Sequence, residues 1–272
     1  MYLQRRPAAP LDAVVACLWA SERGALVHAR ERILPSGCDS VVIALHEAPL
    51  RRFADIDDRC GNSIGNALWQ GVHDAPVLRD TSAPACVVGI SFRAGGAAAL
   101  AGVPMGELAG RTVALDALWG SAVARLRERL QDTAGAAARL DLLEAWLYRR
   151  LASARPGDPV VAQALALFAS MPTRAEVGPV QLAVGCSPQR FVARFRDAVG
   201  LTPKRYARVL RFHTLVQRLA AVDDAGLAEL ALDGGYVDQS HLSNEFRRLG
   251  GLTPMAYRPV AGDRPTHVAI GG

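Results

Sequence analysis

GGYVDQSHLSNEFRRLGGLTP, residues Gly234 to Pro254, places a turn, a capping residue, a short amphipathic helix and a second turn in one segment. Leu242, Phe246 and Leu249 recur at helical spacing and share one face, which reads as core. The opposite face carries Ser240, Asn244, Arg247 and Arg248, with His241 at its margin and Gln239 exposed in the first turn. These side chains can all hydrogen-bond, and they suit the base edges of a major groove, which admits one α-helix. A helix this short suffices if only its first turns enter the groove.

The segment is one of two copies. Shifting the chain by 51 residues lays SPQRFVARFRDAVGLTPKRY, Ser187 to Tyr206, over DQSHLSNEFRRLGGLTPMAY, Asp238 to Tyr257. Phe195 falls on Phe246, Arg196 on Arg247, Gly200 on Gly251 and Tyr206 on Tyr257. Each copy starts with a capping residue, Ser187 or Asp238, whose side-chain oxygen can accept from first-turn amides, and Pro188 suits the first helical position. Upstream, VGCS and GGYVD supply sharp turns after the helical runs PVQLAV and LAELAL, so each copy reads as helix, turn, helix. In the first copy Phe191, Phe195 and Ala198 form the inner face; Gln189, Ala193 and Arg196 lie outside, with Arg190 at the margin. Phe195, Phe246, Tyr206, Tyr236 and Tyr257 follow the buried spacing and are expected in the core.

Charge is distributed unequally between the copies. From Gly185 to Arg218 the basic residues are Arg190, Arg194, Arg196, Lys204, Arg205, Arg208, Arg211 and Arg218, against Asp197 alone. From Leu227 to Arg258 three arginines face Glu229, Asp233, Asp238 and Glu245, so the first copy is expected to grip phosphates more strongly. After each short helix GLTP supplies a glycine stop, a Thr cap and a proline that can open the next helix. KRYARVLRFHTLVQRLAAV then keeps Tyr206, Val209, Leu210, His213 and Leu219 at spacings that fit one long connecting helix. Such a rod could hold two readers about one turn of B-DNA apart, roughly 34 Å.

With these residues in place, the C-terminal hundred residues resemble the AraC/XylS family of bacterial transcription regulators. The match is carried by Gly235, Tyr236, Asp238, Gln239, Ser240, His241, Leu242, Phe246, Gly251, Pro254 and Tyr257 in a gap-free pattern. The resemblance implies a double helix-turn-helix domain on double-stranded DNA. Base contacts are expected from Gln189, Arg190, Ala193, Gln239, Ser240, His241 and Asn244. Phosphate contacts are expected from Arg194, Arg196, Lys204, Arg205, Arg247 and Arg248. Ala193 departs in capacity, since its methyl can only touch a thymine methyl. The resemblance leaves room for a small-molecule effector in the N-terminal part, for RNA polymerase as a partner and for a homodimer.

Up to about Gly120 the chain favours strands: DSVVIAL, Asp39 to Leu45, and ACVVGISF, Ala85 to Phe92, are rich in β-branched residues and bounded by Gly, Pro and Ser. LPSGCDSVVIAL and the segment from VVGISF to ALDALWG resemble the cupin-like barrel or sandwich that accompanies a subset of these regulators. From Ser121 the period becomes helical, and Leu140, Leu143, Trp146, Leu147 and Leu151 form a stripe that could be a dimer seam or a lid on the N-terminal core. SARPGDP, Ser153 to Pro159, interrupts it. The expected fold is α+β: a β-rich sensor or association domain over 1–120, a helical connector over 121–153, a linker near Arg155, an all-α double helix-turn-helix domain over 157–260 and a flexible tail over 261–272.

The 272 residues carry 31 basic and 26 acidic groups, a formal net charge of +5, and all basic residues except Lys204 are arginine. This permits an anionic partner. With no secretory leader pattern and no apolar run of about eighteen residues, the chain is expected in the cytoplasm at the nucleoid, without a membrane partner. Cys17, Cys38, Cys60, Cys86 and Cys186 include no C-x-x-C pair and read as buried thiols, Cys186 as a packed small residue. Cys38, His46, Glu47, Cys60, His73 and Asp74 invite a metal reading, but no two stand at ligand spacing on one element, and no cofactor is expected. FRAGGAAALAG lacks either phosphate-cradling pattern and reads as a strand ending before a helix. No enzyme is expected; the rivals are a metal-bearing cupin enzyme and a cysteine alkyl acceptor joined to the same DNA-binding domain.

Overall fold

The computed structural model describes residues 1–154, 156–221 and 227–271. Arg155, where the linker is expected, lies outside them, as do residue 222 at the end of the expected rod and residues 223–226. The strands are β1 Tyr2–Arg5, β2 Val15–Arg23, β3 Arg30–Ile33, β4 Ser40–Ala44, β5 Leu50–Phe53, β6 Asn62–Gly65, β7 Ala67–Gln70, β8 Val77–Asp80, β9 Ala85–Phe92, β10 Thr112–Ala114 and β11 His267–Ile270. The helices are α1 Ala98–Ala101, α2 Met105–Leu108, α3 Asp116–Trp119, α4 Ala122–Asp132, α5 Ala136–Leu151, α6 Pro159–Ser170, α7 Val177–Ala183, α8 Pro188–Val199, α9 Pro203–Ala221, α10 Leu227–Asp233 and α11 Gln239–Gly250.

Two antiparallel sheets build the N-terminal part, in the orders β1-β2-β9-β4-β7-β10 and β11-β3-β8-β5-β6. Alternate residues of the six-stranded sheet face one side: Leu18 and Val41 sit opposite Ile90, Val41 opposite Trp69, and Ala20 and Ile43 opposite Val88. All are buried, and α4 and α5 close over them through Leu126, Leu130, Leu140, Leu143 and Leu147. The connector stripe is therefore a lid on this core, with Trp146 and Leu151 half-buried at its edge. Trp69 stacks on Phe92 at 5.0 Å and meets Trp119 edge-on at 5.8 Å. β9 ends at Phe92 before α1, as the glycine-rich run indicates.

A second core gathers Phe168, Phe191, Phe195, Tyr206, Phe212, Phe246 and Tyr257 from α6, α8, α9, α11 and the segment after it. Leu34 and Val72, from loops of the β-rich part, belong to the same cluster. The two parts are also joined by Arg205 and Asp74, whose paired hydrogen bonds measure 2.7 and 2.6 Å. A β-carbon on Gly200 would lie 2.6 Å from Val72 Cγ1, so α8 ends tight against the β-rich part.

One expectation is corrected. Residues 261–272 are not a free tail over their described length: β11 pairs with β3 from His267↔Ile33 to Ile270↔Arg30 and completes the five-stranded sheet. Val268 is buried, and the Tyr257 hydroxyl donates to the Pro265 carbonyl at 2.7 Å. Under this strand Glu31 is fully buried and accepts from Arg79 Nε at 2.9 Å, with His28 Nε2 at 2.8 Å and His267 Nδ1 at 3.2 Å. Burial opposes ionisation of Glu31, but the His267, Arg79 and His28 contacts outweigh it and hold the carboxyl far below its ordinary range. The partner that orders the end of the chain lies more than two hundred residues away, which local composition could not reveal.

Candidate nucleic-acid interface

Both repeats fold as two helices joined by a glycine turn. Gly185 at φ +63° separates α7 from α8, and Gly235 at φ +74° separates α10 from α11, backbone that glycine adopts without steric cost. Asp238 caps α11 by accepting from the His241 amide at 2.7 Å. Ser187 occupies the matching position but makes no side-chain cap bond, contrary to its expected role. The Gln181 side-chain amide instead donates to the Cys186 carbonyl and ties this turn to α7. Gly200 at φ +91° and Gly251 at φ +67° end the short helices. Only the first GLTP opens a long helix, the 19-residue α9, about 28 Å from end to end; the second opens a single 3-10 turn, Pro254–Ala256.

The inner faces pack as their spacing requires: Phe191, Phe195, Leu242, Phe246 and Leu249 are buried, as are Tyr206, Tyr236 and Tyr257. Gln189, Arg190, Ala193, Gln239, Ser240, His241 and Asn244 are all exposed. His241 Nδ1 accepts from the Val237 amide at 3.4 Å, which leaves its ring proton on Nε2, and the ring stands edge-on to Tyr236 at 5.5 Å. Asn244 Oδ1 accepts from Arg247 Nη1 at 3.4 Å.

The basic residues separate into two groups. Arg196, Lys204, Arg247 and Arg248, together with Arg190, are exposed and make no ion pair among the described residues. Arg194 is turned to Asp158, the cap of α6, with hydrogen bonds of 2.6 and 2.7 Å. Arg205 is held by Asp74 in the same two-pronged way. Each arginine's hydrogen bonds hold its partner carboxyl below the ordinary range. Arg208 pairs with the largely buried Glu245, and Arg211 donates to the Gly235 carbonyl. Four of the eight basic residues counted in the first repeat therefore stitch the fold together. Burying Glu245 against Arg208 also removes one acid from the outer charge of the second repeat, which narrows the expected difference between the copies.

Two outward residues escape the sequence reading. Val192 is 41 % exposed and lines an open groove of about 510 Å³ with Pro188, Gln189, Ala193 and Arg196. Ser243, half-buried, is its counterpart in α11. The 51-residue register could have paired them, but a valine on a helix reads first as core. The metal-type candidates are dispersed: His46 Nδ1 lies against backbone atoms of Cys86, Asp74 against Arg205 and His73 Nδ1 against the Ala75 carbonyl, while Cys60 is exposed and burial pushes the Cys38 thiol up to about 12. Among the described residues no group of three or more His, Cys, Asp or Glu side chains is arranged so that it could hold a metal ion. Beside α4, Asn66, Asp116, Ser121, Arg127 and Glu128 line a partly open concavity of about 470 Å³. No helix among the described residues is long and apolar enough to cross a membrane.

Comparison with known proteins matches residues 182–259 to a helix-turn-helix domain family and residues 3–114 to a domain of unknown function, DUF6597. A Streptomyces antibioticus protein named as an AraC-like transcription regulator is 33% identical over 119 residues, 43% of this chain and 37% of that protein. A Streptomyces lividans protein of the same name is 34% identical over 102 residues, 37% of this chain and 33% of that protein. The chain thus spans about a third of the length of the relatives it matches. The solved structure of ToxT from Vibrio cholerae superposes with a TM-score of 0.49 at 10% identity, covering 94% of this chain and 97% of that one.

Proposed function

We propose that the chain is an AraC-type, sequence-specific DNA-binding transcription regulator, a reading supported by the helix-turn-helix match over residues 182–259 and by the similarity to proteins named as AraC-like regulators. One observation carries the reading: the same unit occurs twice, before and after the helix α9 in the chain, each time with a buried aromatic-bearing face and an exposed face on a single short helix, the element a major groove admits. In this reading Gln189, Ala193, Gln239, Ser240, His241 and Asn244 meet bases, with Arg190 at the margin of the first face. Arg196, Lys204, Arg247 and Arg248 meet phosphates. Arg194 and Arg205 act one step back, by fixing α8 to α6 and α9 to the β-rich part.

The β-rich part is the regulatory half of the proposal, taking either a small molecule or a second copy of the chain. The shared core and the Arg205–Asp74 pair give such an event a mechanical route to the readers. Contact with RNA polymerase belongs to the same proposal, and the site of work would be chromosomal DNA in the cytoplasm. No reaction step is required of any residue. The test is selection by the full chain from a pool of random duplexes at moderate salt. Enrichment of a motif with two half-sites about one helical turn apart is expected, and a pool that stays random overturns the reading.

A further inference from the structure

The two outer faces are the same surface with opposite chemistry. The 51-residue register sets Gln189, Val192, Ala193 and Arg196 of α8 against Ser240, Ser243, Asn244 and Arg247 of α11. At about 100° per residue each set of four falls on one side of its helix. In α11 the two central positions carry a hydroxyl and an amide. In α8 they carry only methyl groups, Val192 being 41 % exposed and Ala193 exposed beside it. Of the neighbouring charges, Arg194 is turned to Asp158, and Arg190, about 60° round the helix from Ala193 at the margin of the face, lies about 160° from Val192, so neither brings charge to the Val192 side.

A face with no donor or acceptor at its centre cannot satisfy the polar edge of a base, and a base pressed against it would lose its water without compensation. The apolar group that a major groove offers is the C5-methyl of thymine. Gln189 and Arg196 flank the apolar pair and line the same groove, so methyl contact at the centre is compatible with polar contacts at both ends. Resting on the DNA-binding reading above, we propose that the first reading helix recognises thymine methyl groups through Val192 and Ala193, while the second reads hydrogen-bonding base edges through Asn244. Val192 is then a specificity-determining residue of the first half-site.

The experiment uses the full chain and a duplex recovered by selection, with each thymine of the site replaced singly by uracil, which pairs alike and lacks only the methyl. Loss of about fourfold in affinity per contacted methyl is expected at one or two positions, all within one half-site. Val192→Ser, which brings in the residue that α11 carries at Ser243, should abolish that sensitivity at its own position and leave the other half-site unchanged. A selected site at which every uracil replacement is neutral overturns the inference and leaves the DNA-binding reading standing, as does a Val192→Ser variant with undiminished sensitivity. Failure to select any sequence takes both down together.

Discussion

Arg208 on α9 and Glu245 on α11 face each other through two parallel hydrogen bonds, Nε to Oε1 at 3.0 Å and Nη2 to Oε2 at 2.7 Å. The pair fixes α11 to the connecting helix α9 and so helps set the direction of its exposed face. Glu245 is largely buried, and removing it would leave the guanidinium without its partner. Glu245→Ala is expected to destabilise the fold by about 2–4 kcal/mol, measured by urea unfolding, and a loss below 1 kcal/mol would mean the pair is dispensable.

The same pair predicts an acid response. Burial opposes ionisation of Glu245, but the Arg208 hydrogen bonds and charge outweigh it, so the folded carboxyl titrates below its ordinary value of 4.5. The unfolded chain therefore takes up the proton first as pH falls. The stabilisation is complete above the ordinary value and is lost as pH drops through the folded one. Unfolding free energy measured from pH 7 downward should fall less steeply below roughly pH 5 in Glu245→Gln than in the parent chain. Parallel curves would remove Glu245 from the groups responsible.

The turn glycines differ in a way that substitution can read. A β-carbon on Gly235 would stand 2.0 Å from the Thr173 carbonyl oxygen, whereas one on Gly185 would meet nothing within 4 Å. Both have positive φ, so Gly185→Ala should cost the backbone penalty alone, about 1–2 kcal/mol, and Gly235→Ala distinctly more. Equal melting temperatures for the two variants would show that the Thr173 contact relaxes freely.

Asn244→Ala is expected to weaken binding to the selected site by about 1–3 kcal/mol while leaving random-sequence binding nearly intact. Titrations of both duplexes by fluorescence anisotropy distinguish the outcomes. Equal losses on the two would move Asn244 out of the base-reading set.

Arg196 and Arg194 sit two positions apart on α8 and should behave differently. Arg196→Ala should weaken binding to any duplex and flatten the dependence of log affinity on log salt by about one unit. Arg194 is engaged with Asp158, so Arg194→Ala should lower thermal stability and leave that slope unchanged. Identical slopes for the parent chain and Arg196→Ala would take Arg196 off the phosphate backbone.

Much of this was legible in the chain because it repeats over short distances. Leu242, Phe246 and Leu249 declare the inner face of α11 by period alone, and the first copy shows the same pattern around Phe191 and Phe195. β4 and β9 are legible as runs of β-branched residues. What escaped depends on partners distant in sequence. Arg194 looks like a free cation until Asp158, 36 residues earlier, is brought beside it. Val192 looks like core until the fold leaves it outside. HVAI, four residues near the chain's end, becomes a strand only because β3 offers an unpaired edge.

That last pairing bears on the order of events during synthesis. β3 is made within the first forty residues, yet its outer hydrogen-bonding edge is filled by β11 from the far end of the chain. The five-stranded sheet therefore cannot close on the ribosome until both helix-turn-helix units have emerged. Its register is set only once β11 has been made, and until then the edge of β3 that β11 covers is open to other pairing partners.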